Sequence, residues 1–431
     1  MSDDKLDVIV VGAGVAGCTV ALLLAQQGLE VALIERGPFP GSKNLSGGVL
    51  YGQVLHQIIP NFWEKAPVER VITNQAVTFL TETDSVSLDF KTPSFLQKPY
   101  NAVSVLRSKF DRWLGEQAEK AGAILIPGIK VERLIREENR IIGIAAGQEE
   151  MFADVVIAAD GANSFLAQEA GLRQRIPEEH VAVGIKEVIA LPQEVIENRF
   201  RLEGNEGSAF NIVGSATQGI AGGGFLYTNQ ESISIGLVIQ LADLVQRQKK
   251  VSEIFDQFLN HPWIASLIKG GKVVEYGAHL VPEAGLKMIP RLFMDGMVVI
   301  GDAAGLTINN GFWVRGMDLA IGSAIAAAEA VVKAHQNRDF SAESLALYRQ
   351  KLEESFVMAD LRTYAHAPHF MQNARLYKRY PQVVSEVFRQ IYQQDASPHQ
   401  PLRQIVREAV RRNNLSLLDL VKDFWNGGRA L

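Results

Sequence analysis

The sequence predicts an α/β fold in which a domain of parallel strands and helices is interrupted by a domain of antiparallel sheet, and in which a helical region ends the chain. Three observations predict this arrangement. A strand, a glycine-rich turn and a helix follow one another within residues 6–27. Apolar and polar residues alternate in Ala76–Phe90 and in Phe210–Leu241, as in half-buried antiparallel strands. Residues 341–425 contain few glycines and have the composition of helices.

The first strand, Leu6–Val11, leads into the glycine-rich stretch 12–17, whose residues are Gly-Ala-Gly-Val-Ala-Gly, and a helix is predicted near Val15–Gln27. Gly12 permits the tight turn, Gly14 allows a pyrophosphate to approach the backbone, and Gly17 allows the helix to pack closely on the strand. The N–H groups of the helix N-terminus can then bind the phosphates. This turn therefore predicts a dinucleotide site rather than an ordinary glycine turn.

Acidic residues end or follow three further predicted strands. The second strand ends at Glu35, whose carboxylate can accept hydrogen bonds from the hydroxyls of an adenosine ribose. Two apolar strands end similarly, 155–159 before Asp160 and 297–300 before Asp302. Asp302 can reach the hydroxylated ribityl chain that FAD has and NAD lacks. The order of these motifs therefore favours FAD as the cofactor.

A helix is predicted over Ser108–Ala121, opened by a capping box in which Ser108 and Asp111 each bond to the other's backbone. Arg107 lies beside this helix start, where its guanidinium can pair with phosphate oxygens. A solvated surface arginine is the alternative interpretation of Arg107.

A turn at Asn310-Gly311 precedes a long alanine-rich helix, which is predicted from about Gly316 to Ala334. If this helix directs its N-terminus at a flavin, its partial positive charge favours the anionic reduced form. The alternative interpretation is a simple tight turn packed against the core.

The composition excludes several classes of function. The chain has 431 residues and a net charge of −5, so nucleic acid is not an expected partner. Its single cysteine, Cys18, excludes an internal disulfide and a four-thiolate zinc or iron–sulfur site on this chain alone. The uncharged stretch Val8–Leu29 is interrupted by glycines, so neither a signal peptide nor a membrane-spanning helix is predicted, and the expected location is cytoplasmic. His366 and His369 are interpreted as surface or packing residues, and no metal site is predicted.

These motifs, in this order, resemble the glutathione-reductase-type FAD-binding Rossmann fold. Further stretches resemble the electron-transfer-flavoprotein:quinone oxidoreductase (ETF-QO/FixC) family along essentially the whole chain. They are Glu35-Arg36-Gly37, Val105–Asp111, Val183–Glu187, Gly222–Thr228, Val281-Pro282-Glu283 and Arg315–Ala320.

The domain organisation follows from the order of the elements and from this resemblance. The chain is expected to leave the FAD-binding domain, build an inserted α+β substrate (quinone) domain, and return. The predicted ranges are 1–75, 100–170 and 276–335 for the FAD-binding domain, 76–99 and 171–275 for the antiparallel-sheet quinone domain, and 336–431 for the helical C-terminal region.

The resemblance also implies which residues contact FAD. It adds positions beside the motifs described above, among them Val131, whose backbone is expected to meet the adenine. No catalytic side chain is predicted, because the chemistry belongs to the flavin. The full predicted set is Gly12, Gly14, Gly17, Glu35, Arg36, Arg107, Val131, Asp160, Asp302 and Gly311.

The same resemblance implies a reaction and its partners. Two electrons arrive from an electron-transfer flavoprotein with FixA/FixB-like subunits and leave toward quinone. Mitochondrial-type members of the family carry a four-iron cluster on C-terminal cysteines, which this chain lacks, so the cluster is expected on a separate ferredoxin-like, FixX-like iron–sulfur protein. Three alternatives stay open, namely an isoprenoid (geranylgeranyl-type) reductase, an aromatic hydroxylase, and a non-catalytic scaffold that retains FAD.

The C-terminal region is the most basic part of the chain, with eleven basic and five acidic residues in 361–431. An amphipathic helix is predicted at its end, opened by a capping box of Ser416 and Asp419 and closed by Gly427. Either its apolar face packs on the body, or the basic tail docks the ferredoxin-like partner, in preference to peripheral contact with the cytoplasmic face of the inner membrane. The apolar face consists of Leu417, Leu420, Val421, Phe424 and Trp425, and the preceding basic cluster of Arg403, Arg407, Arg411 and Arg412.

Overall fold

Two large sheets organise this computed structural model, which describes residues 5–44, 48–283 and 285–431. The side chain of Leu417, one of the predicted face residues, also lies outside the described part. The strands, numbered in chain order, are β1 (Leu6–Val11), β2 (Val31–Glu35), β3 (Gly48–Tyr51), β4 (Val68–Leu80), β5 (Ser85–Lys91), β6 (Ala102–Val105), β7 (Ile124–Pro127), β8 (Arg133–Glu137), β9 (Arg140–Ala146), β10 (Glu149–Ala158), β11 (Val181–Ala190), β12 (Glu206–Gly214), β13 (Gly222–Thr228), β14 (Ser232–Gln240), β15 (Lys272–Pro282), β16 (Phe293–Met294), β17 (Met297–Val299), β18 (Ile308–Asn309) and β19 (Val314–Arg315).

Helices cover the sheets and form the C-terminal region. Within the described ranges, no helix combines the length and the hydropathy needed to cross a membrane. The helices are α1 (Val15–Gln26), α2 (Gln53–Ile58), α3 (Arg107–Lys120), α4 (Phe165–Glu169), α5 (Gln193–Phe200), α6 (Leu241–Gln246), α7 (Val251–Leu259), α8 (Pro262–Ile268), α9 (Met317–Asn337), α10 (Ala342–Leu345), α11 (Leu347–Glu354), α12 (Phe356–Thr363), α13 (Ala367–Met371), α14 (Ala374–Lys378), α15 (Tyr380–Tyr392), α16 (Leu402–Arg412) and α17 (Leu417–Ala430).

The first sheet is the parallel part of the fold, with the order β16-β17-β10-β1-β2-β7. β1 pairs in parallel with β2 and with β10, and β10 pairs in parallel with β17. β1 and β2 consist mainly of buried Val, Ile, Leu and Ala, as is typical of a parallel sheet that is covered on both faces. This sheet confirms the predicted α/β fold.

The second sheet has the order β15-β11-β14-β13-β12-β4-β6-β3, with β5 beside β4. Most of its pairs are antiparallel, as predicted, but β4 and β12 run parallel. β3 and β6 lie in ranges predicted for the FAD-binding domain and yet pair with each other in this sheet. The chain therefore enters the second sheet before residue 76, and the proposed division into domains stays a prediction.

Two cores hold these layers together. The larger core packs the first sheet against α1 and α9 through residues such as Ile9, Leu24 and Ile321. The second core packs the second sheet against α5, α7 and α8, with Ile196 and Phe258 among its fully or nearly fully buried residues. The second sheet thus has its own hydrophobic support.

Of the two predicted ends of α17, the N-terminal cap is observed and the C-terminal one is not. The capping box is confirmed, because Ser416 Oγ accepts a hydrogen bond from Asp419 N at 3.0 Å and Asp419 Oδ2 accepts one from Ser416 N at 3.1 Å. Gly427, however, does not end the helix, which continues to Ala430. A Cβ at Gly427 would lie 3.0 Å from the ring of Phe370, so this glycine serves helix packing rather than termination.

Of the described side chains on the predicted apolar face of α17, Leu420 packs on the body, in the cluster that contains Val383 and Val410, and the others are exposed. Val421, Phe424 and Trp425 are 67%, 83% and 66% exposed, whereas Asp423 and Gly427 are buried. An ion pair at Asp423 decides this orientation, since it turns the opposite side of the helix toward the body. An apolar surface is therefore left at the end of the chain.

Candidate functional site

A cavity of about 700 Å³ runs along the carboxyl ends of the parallel strands and continues over the second sheet. Its volume lies in the range of cofactor sites. Residues at the ends of β1, β2, β10 and β17 form one wall, where open α/β sheets bind nucleotides. The predicted cofactor residues on this wall are Gly12, Gly14, Glu35, Arg36, Arg107, Val131, Asp160, Asp302 and Gly311.

The glycine turn between β1 and α1 has the geometry that its sequence predicts. Gly12 has a φ of +104°, and a Cβ there would lie 2.3 Å from the carbonyl oxygen of Ala159. Gly17 does not line the cavity, because it packs α1 on the turn, with the carbonyl oxygen of Gly12 only 1.9 Å from the position of a Cβ. Gly14 faces the cavity, and Nη2 of Arg107 lies 3.6 Å from the position of its Cβ. The backbone is thus open beside a cation.

Glu35 lies at the buried end of β2. Its Oε2 accepts a hydrogen bond from Ala13 N at 3.0 Å, and its Oε1 accepts one from Gly37 N at 2.7 Å. A carboxylate offers about four lone-pair positions. Glu35 can therefore hold both backbone groups and still accept hydrogen bonds from ribose hydroxyls.

The predicted capping box at the start of α3 is wrong. The helix begins at Arg107, and Leu106 occupies its N-cap without a side-chain hydrogen bond. Asp111 pairs instead with the guanidinium of Arg107, at 2.7 Å from both Nε and Nη2, and it accepts a bond from Asn44 Nδ2 at 2.6 Å. Burial opposes the charge of Arg107, but Asp111 outweighs it and raises the pKa of the guanidinium. Arg107 is therefore a positioned cation on the cavity wall, not a solvated surface residue.

Two acids face the same cavity. Burial raises the pKa of both Asp160 and Asp302, and the positive charge of Arg107 lowers that of Asp302 in part. Asp160 Oδ2 accepts a hydrogen bond from Leu166 N at 3.0 Å. Its other carboxyl oxygen, Oδ1, is buried and has no hydrogen-bond partner among the described residues. Such an atom is costly unless a ligand or water satisfies it.

The turn at Gly311 precedes the long helix, as predicted. Gly311, with a φ of +84°, lies in the hairpin that joins β18 to β19, and α9 begins at Met317, one residue after the predicted start. Gly316 and Met317 line the cavity. The N-terminus of α9 therefore faces the cavity.

Arg315 fixes this start of α9. Its Nε bonds to Asp318 Oδ2 at 2.6 Å, and its Nη1 bonds to Asp360 Oδ2 at 2.6 Å. Burial raises the pKa of Asp318, but Arg315 opposes that rise by stabilising the charged carboxylate. The guanidinium also lies within 5.8 Å of the centroids of three aromatic rings, a contact that favours a cation. These rings belong to Tyr51, Trp313 and Phe356.

The site fits FAD, the cofactor that the sequence favours. The open backbone at Gly14 lies beside the Arg107 cation, as a pyrophosphate requires. Glu35 has acceptor capacity left, and the buried Oδ1 of Asp160 lacks a partner among the described residues. The cavity is also long enough to pass from these groups to Asp302 and on to the second sheet.

The residues at the far end of the cavity were not predicted from the sequence. Side chains of β4, β12 and β13 form one part of it, and the C-terminal helices form the other. The alternating pattern of β4 and the stretch Gly222–Thr228 were the available signals for the first part. The C-terminal helices carry no comparable signal. No local sequence pattern relates their residues to a cofactor turn that lies hundreds of residues earlier. The lining side chains include Val77, Phe79, Phe225, Tyr227, Phe370, Met371, Leu376 and Tyr380.

Three family models match parts of the chain. They are described as FAD dependent oxidoreductase, over residues 7–82, as ETF-QO, ubiquinone-binding, over 181–281, and as ETF-QO/FixC family C-terminal domain, over 367–431. The first covers the glycine turn and Glu35, and the other two cover strands and helices that form the far end of the cavity.

Full-length relatives agree with these matches. The chain is 47% identical over 431 residues to the probable electron transfer flavoprotein-quinone oxidoreductase YdiS of Escherichia coli (strain K12), with 100% of each chain covered. It is 46% identical over 432 residues to protein FixC of Salmonella typhi, again with 100% of each covered. In fold, it is similar to the crystal structure of a geranylgeranyl bacteriochlorophyll reductase-like protein from Thermoplasma acidophilum, with a TM-score of 0.73, 21% identity, and 98% and 99% of the two chains covered. The comparisons confirm FAD as the cofactor.

Proposed function

Because the chain belongs to the electron transfer flavoprotein:quinone oxidoreductase (ETF-QO/FixC) family of FAD-dependent oxidoreductases, we propose that it accepts electrons from a reduced electron-transfer flavoprotein and passes them toward a quinone. One observation carries this proposal. The cavity that holds the predicted FAD residues continues without interruption into a compartment lined by apolar and aromatic side chains. A quinone ring in that compartment lies next to the cofactor, as electron transfer requires.

The predicted residues have separate roles in this proposal. The open backbone at Gly14 and the guanidinium of Arg107 bind the pyrophosphate of FAD, while Glu35 binds the ribose and Asp302 the ribityl chain. The backbone of Val131 meets the adenine. FAD supplies the redox chemistry, and the protein supplies position and electrostatics. Arg36, Asp160 and Gly311 complete the cofactor wall, and Gly12 and Gly17 shape the turn.

An iron–sulfur cluster, if the pathway uses one, belongs to a separate ferredoxin-like protein. The one cysteine of the chain, Cys18, is fully buried in α1, and its Sγ lies 3.3 Å from the carbonyl oxygen of Ala13. We place the docking surface on the C-terminal helices. The exposed side chains of Phe424 and Trp425 lie on the helix that follows the basic helix α16, and acidic ferredoxin-like proteins suit such a surface.

The test is anaerobic electron transfer by the FAD-loaded protein. Reduced electron-transfer flavoprotein, with FixA/FixB-like subunits, and a soluble ubiquinone analogue are mixed with it, and quinol formation is followed. We expect quinol formation that requires the loaded protein and that increases when the ferredoxin-like partner is added. The Gly14→Val variant is the control, because it should lack FAD.

Two outcomes would overturn the proposal. Reduction of a prenyl double bond, with no quinol formed, would identify an isoprenoid reductase. Retention of FAD without electron transfer to quinone would leave a scaffold.

A further inference from the structure

Glu283 lies where two cavities meet. It directly follows β15, is half-buried, and lines the 700 Å³ cavity that holds the predicted FAD residues. It also lines a second cavity of about 30 Å³. A space of ~10–15 Å³ is enough for one water molecule, provided that polar groups line it. The polar groups on the wall of the small cavity, besides Glu283, belong to Glu179, Gln240, Asn309, Gln372 and Tyr377.

Hydrogen bonds hold Glu283 at this junction. Its Oε1 accepts a bond from Asn309 Nδ2 at 3.3 Å, and Asn309 is itself held because its Oδ1 accepts a bond from Gly311 N at 3.0 Å. The backbone of Glu283 donates to the carbonyl oxygen of His180 at 2.9 Å. The carbonyl oxygen of the preceding Pro282 accepts a bond from Thr307 Oγ1 at 2.8 Å. The carboxyl group is therefore positioned between the two cavities by its neighbours.

The surroundings of Glu283 offer little to stabilise its negative charge. Among the described residues that line the small cavity there is no Lys or Arg. The titratable groups that line the small cavity beside Glu283 are Glu179, on the turn Glu178–His180, and Tyr377, on α14. Burial raises the pKa of Glu283 to about 7, although the hydrogen bond from Asn309 opposes this rise. Burial and the charge of Glu283 also raise the pKa of Tyr377. Near neutral pH, Glu283 can thus both release and regain a proton.

Reduction of a quinone to a quinol consumes two electrons and two protons. Bound FAD, in its anionic two-electron-reduced form, would supply two electrons and one proton, so the second proton must come from another acid. We propose that Glu283 is that acid: its O–H bond breaks, an O–H bond forms on the quinone, and the carboxylate is then reprotonated by a proton from bulk solvent that is relayed through water in the small cavity. This inference rests on the proposed quinone reaction.

The experiment compares Glu283→Gln with Glu178→Gln, the same substitution at an exposed residue that lines neither cavity. The FAD-loaded proteins are reduced, and their single-turnover reoxidation is measured with a soluble ubiquinone analogue and with ferricenium, which accepts electrons without protons. We expect Glu283→Gln to slow reoxidation by the quinone about 100-fold and to leave the ferricenium rate unchanged. In the wild type the quinone rate should fall as the pH rises through about 7, the pKa of Glu283, and this fall should be absent from Glu283→Gln.

A second variant and a spectrum keep the inference testable if Glu283→Gln loads FAD poorly. Asn309→Ala removes a hydrogen bond that lowers the pKa of Glu283, so the fall in quinone rate should move to higher pH. Infrared spectra should show a protonated carboxyl band that titrates near neutral pH in the wild type and in Glu178→Gln, and that is missing from Glu283→Gln.

The outcomes separate this inference from the proposed function. If the wild type is reoxidised by quinone, but Glu283→Gln has the same rate and pH profile, the role of Glu283 is wrong and the proposed function stands. If ferricenium reoxidises the wild type and the quinone does not, the proposed function fails, and the role of Glu283 fails with it.

Discussion

The guanidinium of Arg107 meets the carboxylate of Asp111 at two points, with Nε–Oδ1 and Nη2–Oδ2 distances of 2.7 Å each. Asp111 is fully buried, and it uses two of the five N–H donors of the guanidinium. This geometry fixes the plane of the Arg107 side chain beside Gly14. In the proposed site, Arg107 is thus oriented before the phosphate arrives, which lowers the cost of ordering its side chain on binding.

Asp111→Asn should weaken FAD binding by about tenfold or more, because an amide cannot accept both N–H groups and Arg107 loses its orientation. The dissociation constant for FAD, measured by flavin fluorescence, checks this expectation. Glu116→Gln is the matched control, since Glu116 lies on the same helix and is 48% exposed in a surface pair with Arg112. Equal affinities of the two variants would contradict the role of the Arg107–Asp111 pair.

Gly14→Val should yield protein without FAD, because the branched side chain fills the space that the pyrophosphate needs between the turn and Arg107. The ratio of flavin absorbance to protein after gel filtration measures the effect. Gly428→Val provides the control, since a Cβ at Gly428 meets nothing within 4 Å among the described residues. Normal flavin content in Gly14→Val would contradict the proposal that the turn between β1 and α1 binds the pyrophosphate of FAD.

Glu35→Arg should also reduce FAD occupancy, because it places a cation where the ribose hydroxyls need an acceptor. It also leaves the buried N–H groups of Ala13 and Gly37 without a partner, at a cost of about 1–3 kcal/mol for each such group. FAD content and the melting temperature should therefore both fall. Glu30→Arg, an exposed position just before β2, should change neither.

Asp423→Asn should loosen α17 from the body. Hydrogen bonds from Arg375, with Nε and Nη2 each at 2.6 Å, and from Tyr380, outweigh partial burial and lower the pKa of Asp423 to about 2. Losing these charge-assisted bonds should cost about 1.5–3 kcal/mol of unfolding free energy, as measured by chemical denaturation.

The pH dependence of this contact has a definite sign. Because the folded pKa is lowered, the contact stabilises the protein above the pKa of the unfolded state, about 3.9, and is lost as the pH falls toward about 2. The difference in stability between the wild type and Asp423→Asn should therefore shrink over that interval. Glu194→Gln, at an exposed position on α5, should leave the wild-type profile unchanged.

Reversing the charges of Arg403, Arg407 and Arg411 to Glu should weaken co-purification of the ferredoxin-like partner while FAD occupancy stays intact. Arg412 is retained because it pairs with Glu386 at 2.9 Å and supports α16. A control with the same change in charge reverses Lys65, Lys120 and Lys269, which are exposed elsewhere. Unchanged partner binding at low salt in the α16 variant would show that these arginines are solvated surface residues with no role in docking.

Some parts of the site could be predicted because their signals are local. The strand β1 was predicted with the bounds that the structure has, and the helix after it to within one residue, since buried parallel strands are short apolar runs and the glycine turn specifies where the helix starts. The capping box of α17 was predicted for the same reason. The same kind of pattern gave a wrong prediction at α3. Asp111 is buried beside Arg107, and its carboxylate pairs with the guanidinium instead of capping the helix.

Sequence alone determined the class of this protein: a turn between β1 and α1 that only glycines can form, a carboxylate at the end of β2, an acid after β17, and a single cysteine. These features depend on residues that are close along the chain, so their geometry follows from short-range sterics and hydrogen bonding. Only the tertiary structure decided that the C-terminal helices close the far end of the cavity, that Asp423 turns the apolar side of α17 outward, and that Glu283 lies between two cavities. Each of these features depends on which distant side chains pack together. Burial and ion pairing across the fold determine that packing, and local sequence pattern does not.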